Sequence, residues 1–265
     1  MSYATTPIAN GFEIATLPGV VCFQDADFSD KESLQTLYLD LRSHLVHHLA
    51  LPSMEIGRKG VIRLIAQFFA RSMLQCHYET LETLHMAVED VLAGPTFFAN
   101  NADMAERRAR IGKIRKAEAW APLVGQPPVP RFRFNPHRSR FRRALMKYSL
   151  NGHLLPFFGY WGNRVVLRSG QRGQLHEVWG AATISYVNTE GTQTFTVRHS
   201  KVTAFRQGLR MTKSLVRLAL TYPALRDGWR KGYEDLASEG FWRQRLGLTS
   251  PEPVTPPVPV EAPVS

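Results

Sequence analysis

Thr194-Phe195-Thr196-Val197-Arg198 alternates polar and apolar side chains, which is the pattern of a β-strand with one buried face. Two earlier segments, residues 165–168 and 175–188, also have the composition of strands, and the last strand is predicted to cover residues 194–206. The connections between them contain Gly and Asn, which are typical of turns. The pattern therefore predicts an antiparallel β-meander.

Helical spacing returns after Gly208 and is expected to end or kink at Pro223, with a shorter helix over residues 226–236. The outer face of the first of these helices carries three candidate nucleic-acid contacts: Arg210, Lys213 and Arg217. The second half of the chain thus combines strands and helices.

The first hundred residues have mainly helical periodicity. A capping box at residues 29–32 precedes a predicted helix that runs to about Ala50, and a strand is predicted over residues 12–23. A second helical region follows Gly60, breaks near residues 75–78 and stops at Gly94-Pro95. We therefore expect an α+β protein whose N-terminal half is helical.

Four units are predicted along the chain. Residues 1–100 form a mainly α-helical domain, and residues 101–130 contain a basic helix (102–118) followed by a proline-rich linker. Residues 131–249 form a basic α+β domain. Residues 250–265 hold six prolines and are expected to be a disordered tail.

The net charge of +11 is concentrated in the middle of the chain. Residues 1–100 carry 6 basic and 11 acidic side chains, whereas residues 101–150 carry 13 basic and 3 acidic ones. Such segregation indicates a surface that binds a polyanion, although a solvated basic surface that favours solubility would have the same composition.

Residues 131–143, hereafter the Arg/Phe segment, hold six arginines and three phenylalanines. Guanidinium groups bind phosphate through paired hydrogen bonds, and a phenylalanine ring offers a face on which an unpaired base stacks. The alternative is that the rings belong to the core and the arginines are solvated. The candidate nucleic-acid contacts of the segment are Arg131, Phe132, Arg133, Phe134, Arg138, Arg140, Arg142 and Arg143.

Basic side chains elsewhere extend this set. Arg107 and Arg108 belong to the predicted basic helix, Arg168 ends the first predicted strand, and Arg172 lies in the turn after it. Arginine with aromatic residues and few acidic groups is more typical of binding to single-stranded or structured RNA than of duplex reading.

Evidence of catalysis is weaker. The chain has no P-loop, dinucleotide fingerprint or nucleophile elbow, and no metal or cofactor is expected. His44, His47 and His48 have helical spacing that can suit a metal, but a surface or packed histidine cluster is favoured. His85 and Asp90 match the His-x4-Asp signature of glycerolipid acyltransferases. His199, between Arg198 and Lys201, is a candidate base for RNA cleavage without metal.

We therefore expect a cytoplasmic nucleic-acid-binding protein, with RNA favoured over DNA, which acts as a metal-independent endoribonuclease or as a subunit of a ribonucleoprotein complex. In general make-up the chain resembles small basic plasmid or phage proteins and the CRISPR RNA-processing ribonucleases, without a shared motif. The alternatives are a DNA-binding replication or partition protein, and a peripheral membrane protein or acyltransferase drawn to anionic lipid. Protein partners are expected at the acidic helical region, and no segment is apolar enough to span a bilayer.

Overall fold

The computed structural model of the protein describes residues 33–168 and 175–248. The predicted strand over 12–23, the capping box at 29–32, the turn that contains Arg172 and the proline-rich tail lie outside these ranges. Within them the chain is a mixed α+β structure, as the sequence predicts.

Helix α1 (Leu34–Ala50) begins at a capping box in which Ser33 and Thr36 exchange hydrogen bonds. The α-helices that follow it in the described first half are α2 (Gly57–Leu74), α3 (Tyr78–Ala93), α4 (Pro95–Asn100) and α5 (Ala105–Ile114). The predicted break between α2 and α3 is confirmed, and Cys76 there has a φ of +58°. Helix α5 is shorter than the predicted basic helix.

Helix α8 (Lys201–Ala237) is 37 residues long and continues through Pro223. The prediction that this proline separates two helices is wrong, because the buried side chains Tyr222 and Trp229 on either side of it pack into the same core. That core also contains the inner faces of α1, α2 and α3. A short helix, α9 (Glu239–Arg245), follows.

The described part of the sheet has four strands in the order β1-β4-β3-β2: β1 (Ala121–Pro122), β2 (Asn163–Arg168), β3 (Ala181–Val187) and β4 (Gln193–Arg198). β3 and β4 are antiparallel, as predicted, but β2 and β3 are parallel. The predicted meander is wrong at this pair. The twelve residues between β2 and β3 give the chain enough length to cross over and re-enter in the same direction.

Two glutamates fix the connection between α5 and the sheet. The carboxylate of Glu79 accepts the backbone N–H groups of residues 116–118, and the buried carboxylate of Glu118 accepts those of Glu79 and Thr80. Burial acts to raise the pKa of Glu118, but His77, 2.9 Å away, and Thr80 outweigh it, so that the pKa is lowered. These two carboxylates thereby hold the basic connection against the start of α3.

A second, smaller core lies beneath the sheet and contains Val165, Ile184, Tyr186, Phe195 and Val197. Beside it, α6 (Arg140–Tyr148) and α7 (Phe158–Trp161) pack on a cluster that includes Met146, Phe158 and Ala182. This cluster places the Arg/Phe segment at the outer edge of the sheet.

Candidate nucleic-acid interface

The start of the Arg/Phe segment is attached to the edge strand β2. Arg131 and Arg164 exchange two backbone hydrogen bonds of 2.8 Å. Two residues later, the side-chain oxygen of buried Asn163 accepts the backbone N–H groups of Arg133 and Phe134, at 2.8 and 2.9 Å. The backbone of the segment is therefore held along a sheet edge, although the segment itself is not a strand.

Phe134 is the ring of the segment that faces the protein. It is half-buried, and its ring lies 5.5 Å from that of Trp161. A Cβ atom on Gly180 would come within 3.1 Å of the Phe134 ring, and Gly180 has a φ of +79°. A glycine at this position therefore lets the ring lie close to the backbone.

Helix α6 begins directly after this anchor. The Ser139 side chain caps it by accepting the N–H of Arg142, and the guanidinium of Arg142 lies 5.2 Å from the centre of the Phe134 ring. The exposed face of α6 and the turn before it carry a row of cations: Arg138, Arg140, Arg143 and Lys147.

Between the segment and the sheet lies a cleft of about 580 Å³. Aromatic, amide and cationic side chains line it, together with a single acidic one, Glu177, which pairs with neighbouring His176 at 3.2 Å. The lining includes Phe132, Phe134, Asn135, His137, Arg138, Arg142 and Trp179. The cleft is therefore mixed in character, with aromatic rings beside amide and charged groups.

The arginines of the Arg/Phe segment form no ion pair with the acidic side chains that the structure describes. Among the described residues, no carboxylate oxygen lies within 4.0 Å of a nitrogen of any of the six guanidinium groups. Arg133 donates instead to the carbonyl of Tyr160, and Arg142 donates to the carbonyl of Asn135 at 3.4 Å. Like charges gathered without counter-charges favour the binding of an anion.

Aromatic rings are exposed on the same surface. Phe132 is 72% exposed, Phe141 75% and Tyr148 76%. Such rings are apolar surface that folding leaves in contact with water. The interpretation of the phenylalanines as core residues therefore fits only Phe134.

Arg107 and Arg108 have different environments in the structure. Arg107 is buried and forms two hydrogen bonds of 2.8 Å with the Asp90 carboxylate, which also accepts the Tyr38 hydroxyl at 2.6 Å. Arg107 is therefore an internal counter-ion and does not belong to a binding surface. Arg108 is exposed.

The remaining candidates lie on other elements. Arg168 is exposed at the end of β2 and does not line the cleft, whereas Arg172 falls outside the described residues. On α8, Arg217 pairs with Glu89 at 2.6 Å and Arg210 approaches Glu82 at 4.0 Å, while Lys213 is exposed.

These cations of α8 border an exposed apolar stripe formed by Phe205, Leu209, Val216 and Leu220. The first two of these residues, with Met73 of α2 and Leu154, line an apolar groove of about 550 Å³. This groove, hereafter the α8 groove, is a second concave surface of the protein.

His199 is half-buried, and its Nε2 atom does not reach solvent as that of a catalytic base would. Its ring lies 4.2 Å from that of buried His153, and its Nε2 is buried with no hydrogen-bond partner among the described residues. Burial, and then the neighbouring His153 and Lys201, lower the pKa of His199 to about 4. This arrangement fits a packed neutral pair.

The other histidine motifs are also explained by packing. Asp90 is bound by Arg107 and Tyr38, whereas His85 contacts Ser214 at 3.0 Å, so the two members of the His-x4-Asp match have separate partners. The rings of His44 and His48 stack, with centres 6.1 Å apart. In the described part of the chain, no group of three or more His, Cys, Asp or Glu side chains is arranged to hold a metal ion.

Sequence reasoning missed several residues of this interface. Asn163 and Trp179 are about 30 to 45 positions from Phe134, and no local pattern connects them to it. Lys147 could have been predicted from helical spacing. It follows Arg140 by seven positions and Arg143 by four, and so shares their helix face.

Comparison with known proteins adds no assignment. No protein-family model matches the chain, and no curated protein sequence matches it significantly. Within residues 33–168 and 175–248, no helix combines the length and apolar character that crossing a bilayer requires.

Proposed function

We propose that this is a cytoplasmic nucleic-acid-binding protein that uses the Arg/Phe segment and helix α6 as its binding surface. The observation that carries the proposal is a row of guanidinium groups with no acidic partner among the described residues, interleaved with exposed aromatic rings. Phosphate groups form charge-assisted hydrogen bonds with such guanidinium groups, and unpaired bases stack on such rings.

RNA is favoured over DNA because exposed rings need unpaired bases, which are typical of RNA loops and ends. Between the two RNA roles, a subunit of a ribonucleoprotein complex accounts better for the buried Nε2 of His199 than an endoribonuclease does. Contacts of the helical N-terminal region with protein partners stay a prediction.

The test measures the affinity for a fluorescein-labelled RNA at several salt concentrations. Binding is monitored through the fluorescence anisotropy of the labelled RNA. For single strands, each phosphate contact contributes about 0.7 to the slope of log K against log salt. The quadruple variant Arg138→Ala, Arg140→Ala, Arg142→Ala, Arg143→Ala is expected to lose most of the affinity and to have a slope shallower by about 2 to 3.

A matched control removes four charges from a different part of the surface: Arg58→Ala, Lys59→Ala, Arg63→Ala, Lys231→Ala. This control is expected to change binding little. Equal losses in the two quadruple variants would mean that net charge, and not this surface, binds the ligand. A labelled DNA duplex of equal length tests the DNA-binding alternative, which tighter binding to duplex would support.

The exposed apolar stripe of α8 favours a second candidate function, peripheral attachment to an anionic membrane. An apolar stripe beside cations is the pattern of helices that lie at a lipid surface. Co-sedimentation with phosphatidylserine vesicles tests it, with Leu209→Glu and Leu220→Glu as variants. Vesicle binding lost in these variants, with RNA binding unchanged, would assign the membrane role to α8.

A further inference from the structure

We propose that the 580 Å³ cleft beside Phe132 is the binding site for one unpaired nucleotide of a single-stranded RNA. This inference rests on the proposed function and specifies its substrate class. A basic surface alone binds any polyanion, but a cleft with aromatic and amide walls selects a flat base that is free to enter it.

The first argument is the composition of the walls. Phe132 stands 72% exposed at the cleft, and the half-buried rings of Phe134 and Trp179 also line it. A base that entered would cover apolar surface that water now contacts, which is favourable. The exposed side chains of Asn135 and His137 add hydrogen-bonding groups next to the rings.

The second argument is the position of positive charge. Arg138 and Arg142 line the cleft, and Arg142 is oriented by its contact with the Phe134 ring, 5.2 Å away. Since α6 continues outward from these residues with Arg140 and Arg143, the cations extend from the cleft along the surface. A base in the cleft would place its flanking phosphates beside arginines.

The third argument is that the cleft is already formed. Asn163 fixes the backbone of Phe134, Pro136 is buried, and Gly180 allows the Phe134 ring to lie against the backbone. A preformed site requires little ordering when it binds, so that weak contacts with a single base contribute to affinity.

A double helix does not fit this site. Its bases are stacked inside the duplex, and an A-form major groove is too narrow for side chains to read the bases. Entry of a base would require unpairing and unstacking, which costs a few kcal/mol. The site therefore distinguishes single strands from duplexes although both carry the same phosphates.

The experiment compares two exposed phenylalanines of the same surface. Phe132 lines the cleft, and Phe141, 75% exposed, does not. Phe132→Ala is expected to weaken binding of a labelled 12-nucleotide uridine RNA about tenfold and to leave binding of an RNA duplex of equal charge unchanged. Phe132→Trp restores a flat ring and is expected to restore the affinity, whereas Phe141→Ala has a much smaller effect.

Three results would overturn the inference. They are equal affinity for strand and duplex, equal losses in Phe132→Ala and Phe141→Ala, and binding of free uridine monophosphate as tightly as the strand. Each leaves the proposed function standing, because the wild-type protein still binds nucleic acid in a salt-dependent way. Absence of any RNA or DNA binding by the wild-type protein would instead overturn the proposed function.

Discussion

The side-chain amide of Asn163 holds the backbone of Phe134 from both sides. Its oxygen accepts the Phe134 N–H at 2.9 Å, and its nitrogen donates to the Phe134 carbonyl at 2.6 Å. Because Asn163 is 2% exposed and belongs to β2, one buried amide joins the Arg/Phe segment to the sheet.

Asn163→Ala is expected to lower the free energy of unfolding by about 2 to 3 kcal/mol, because it leaves backbone groups of residues 133 and 134 without partners. RNA affinity should fall about tenfold if ordering the released segment costs about 1.4 kcal/mol at binding. Urea denaturation and anisotropy measure the two effects. Asn101→Ala, which removes a helix-terminal amide contact with Phe97, is the control and should leave RNA affinity unchanged.

Gly180→Ala is expected to destabilise the protein by about 1 to 3 kcal/mol. The new Cβ would meet the Phe134 ring at 3.1 Å, and alanine is strained at a φ of +79°. In contrast, Gly228 lies inside α8, and a Cβ added there would meet no atom within 4 Å, so Gly228→Ala should stabilise by up to about 1 kcal/mol. Thermal unfolding distinguishes these opposite signs, and a loss of stability in both variants would contradict the account of Gly180.

Arg107→Ala is expected to cost about 3 to 5 kcal/mol of stability, because it leaves the carboxylate of Asp90 buried without its counter-ion. Its exposed neighbour provides the comparison, since Arg108→Ala should change stability by less than about 0.5 kcal/mol. Urea denaturation of the two variants tests the assignment. Similarly small losses of stability in both variants would instead support the sequence prediction that Arg107 is a surface contact.

Acid should destabilise the protein partly through His199. Its pKa is about 4 in the folded chain and 6.5 in its ordinary state, so the unfolded chain binds more protons between these values. The contribution of His199 to stability is therefore full above pH 6.5 and decreases as the pH falls towards 4.

His199→Phe, which keeps a ring but removes the titration, is expected to flatten the stability profile between pH 6.5 and 4. His176→Phe, which makes the same change at a side chain that is 64% exposed, is the control for the substitution itself. The measurement is the urea midpoint at several pH values. An unchanged slope in His199→Phe would show that other groups carry the acid sensitivity.

Local patterns predicted the local parts of this structure. The end of α1 at Ala50 and the break at Cys76 follow from apolar spacing, and the arginines of the Arg/Phe segment were found from composition alone. The cap of α1 at Ser33 was not predicted, since the sequence pattern placed a capping box at residues 29–32. The parallel pairing of β2 with β3 was not predicted, because strand composition does not specify direction. The same limit applies to Arg107, whose partner Asp90 is 17 positions away on another helix.

Only His199 and Ser200 separate the end of β4 from the start of α8, and the N–H of Ser200 donates to the Tyr78 hydroxyl at 2.8 Å. The sheet that carries the cleft is thus coupled, through α8, to the main helical core. We expect the two layers to melt as one cooperative unit, in a single calorimetric transition. A ligand bound at the sheet edge would then raise the melting temperature of the helical layer as well.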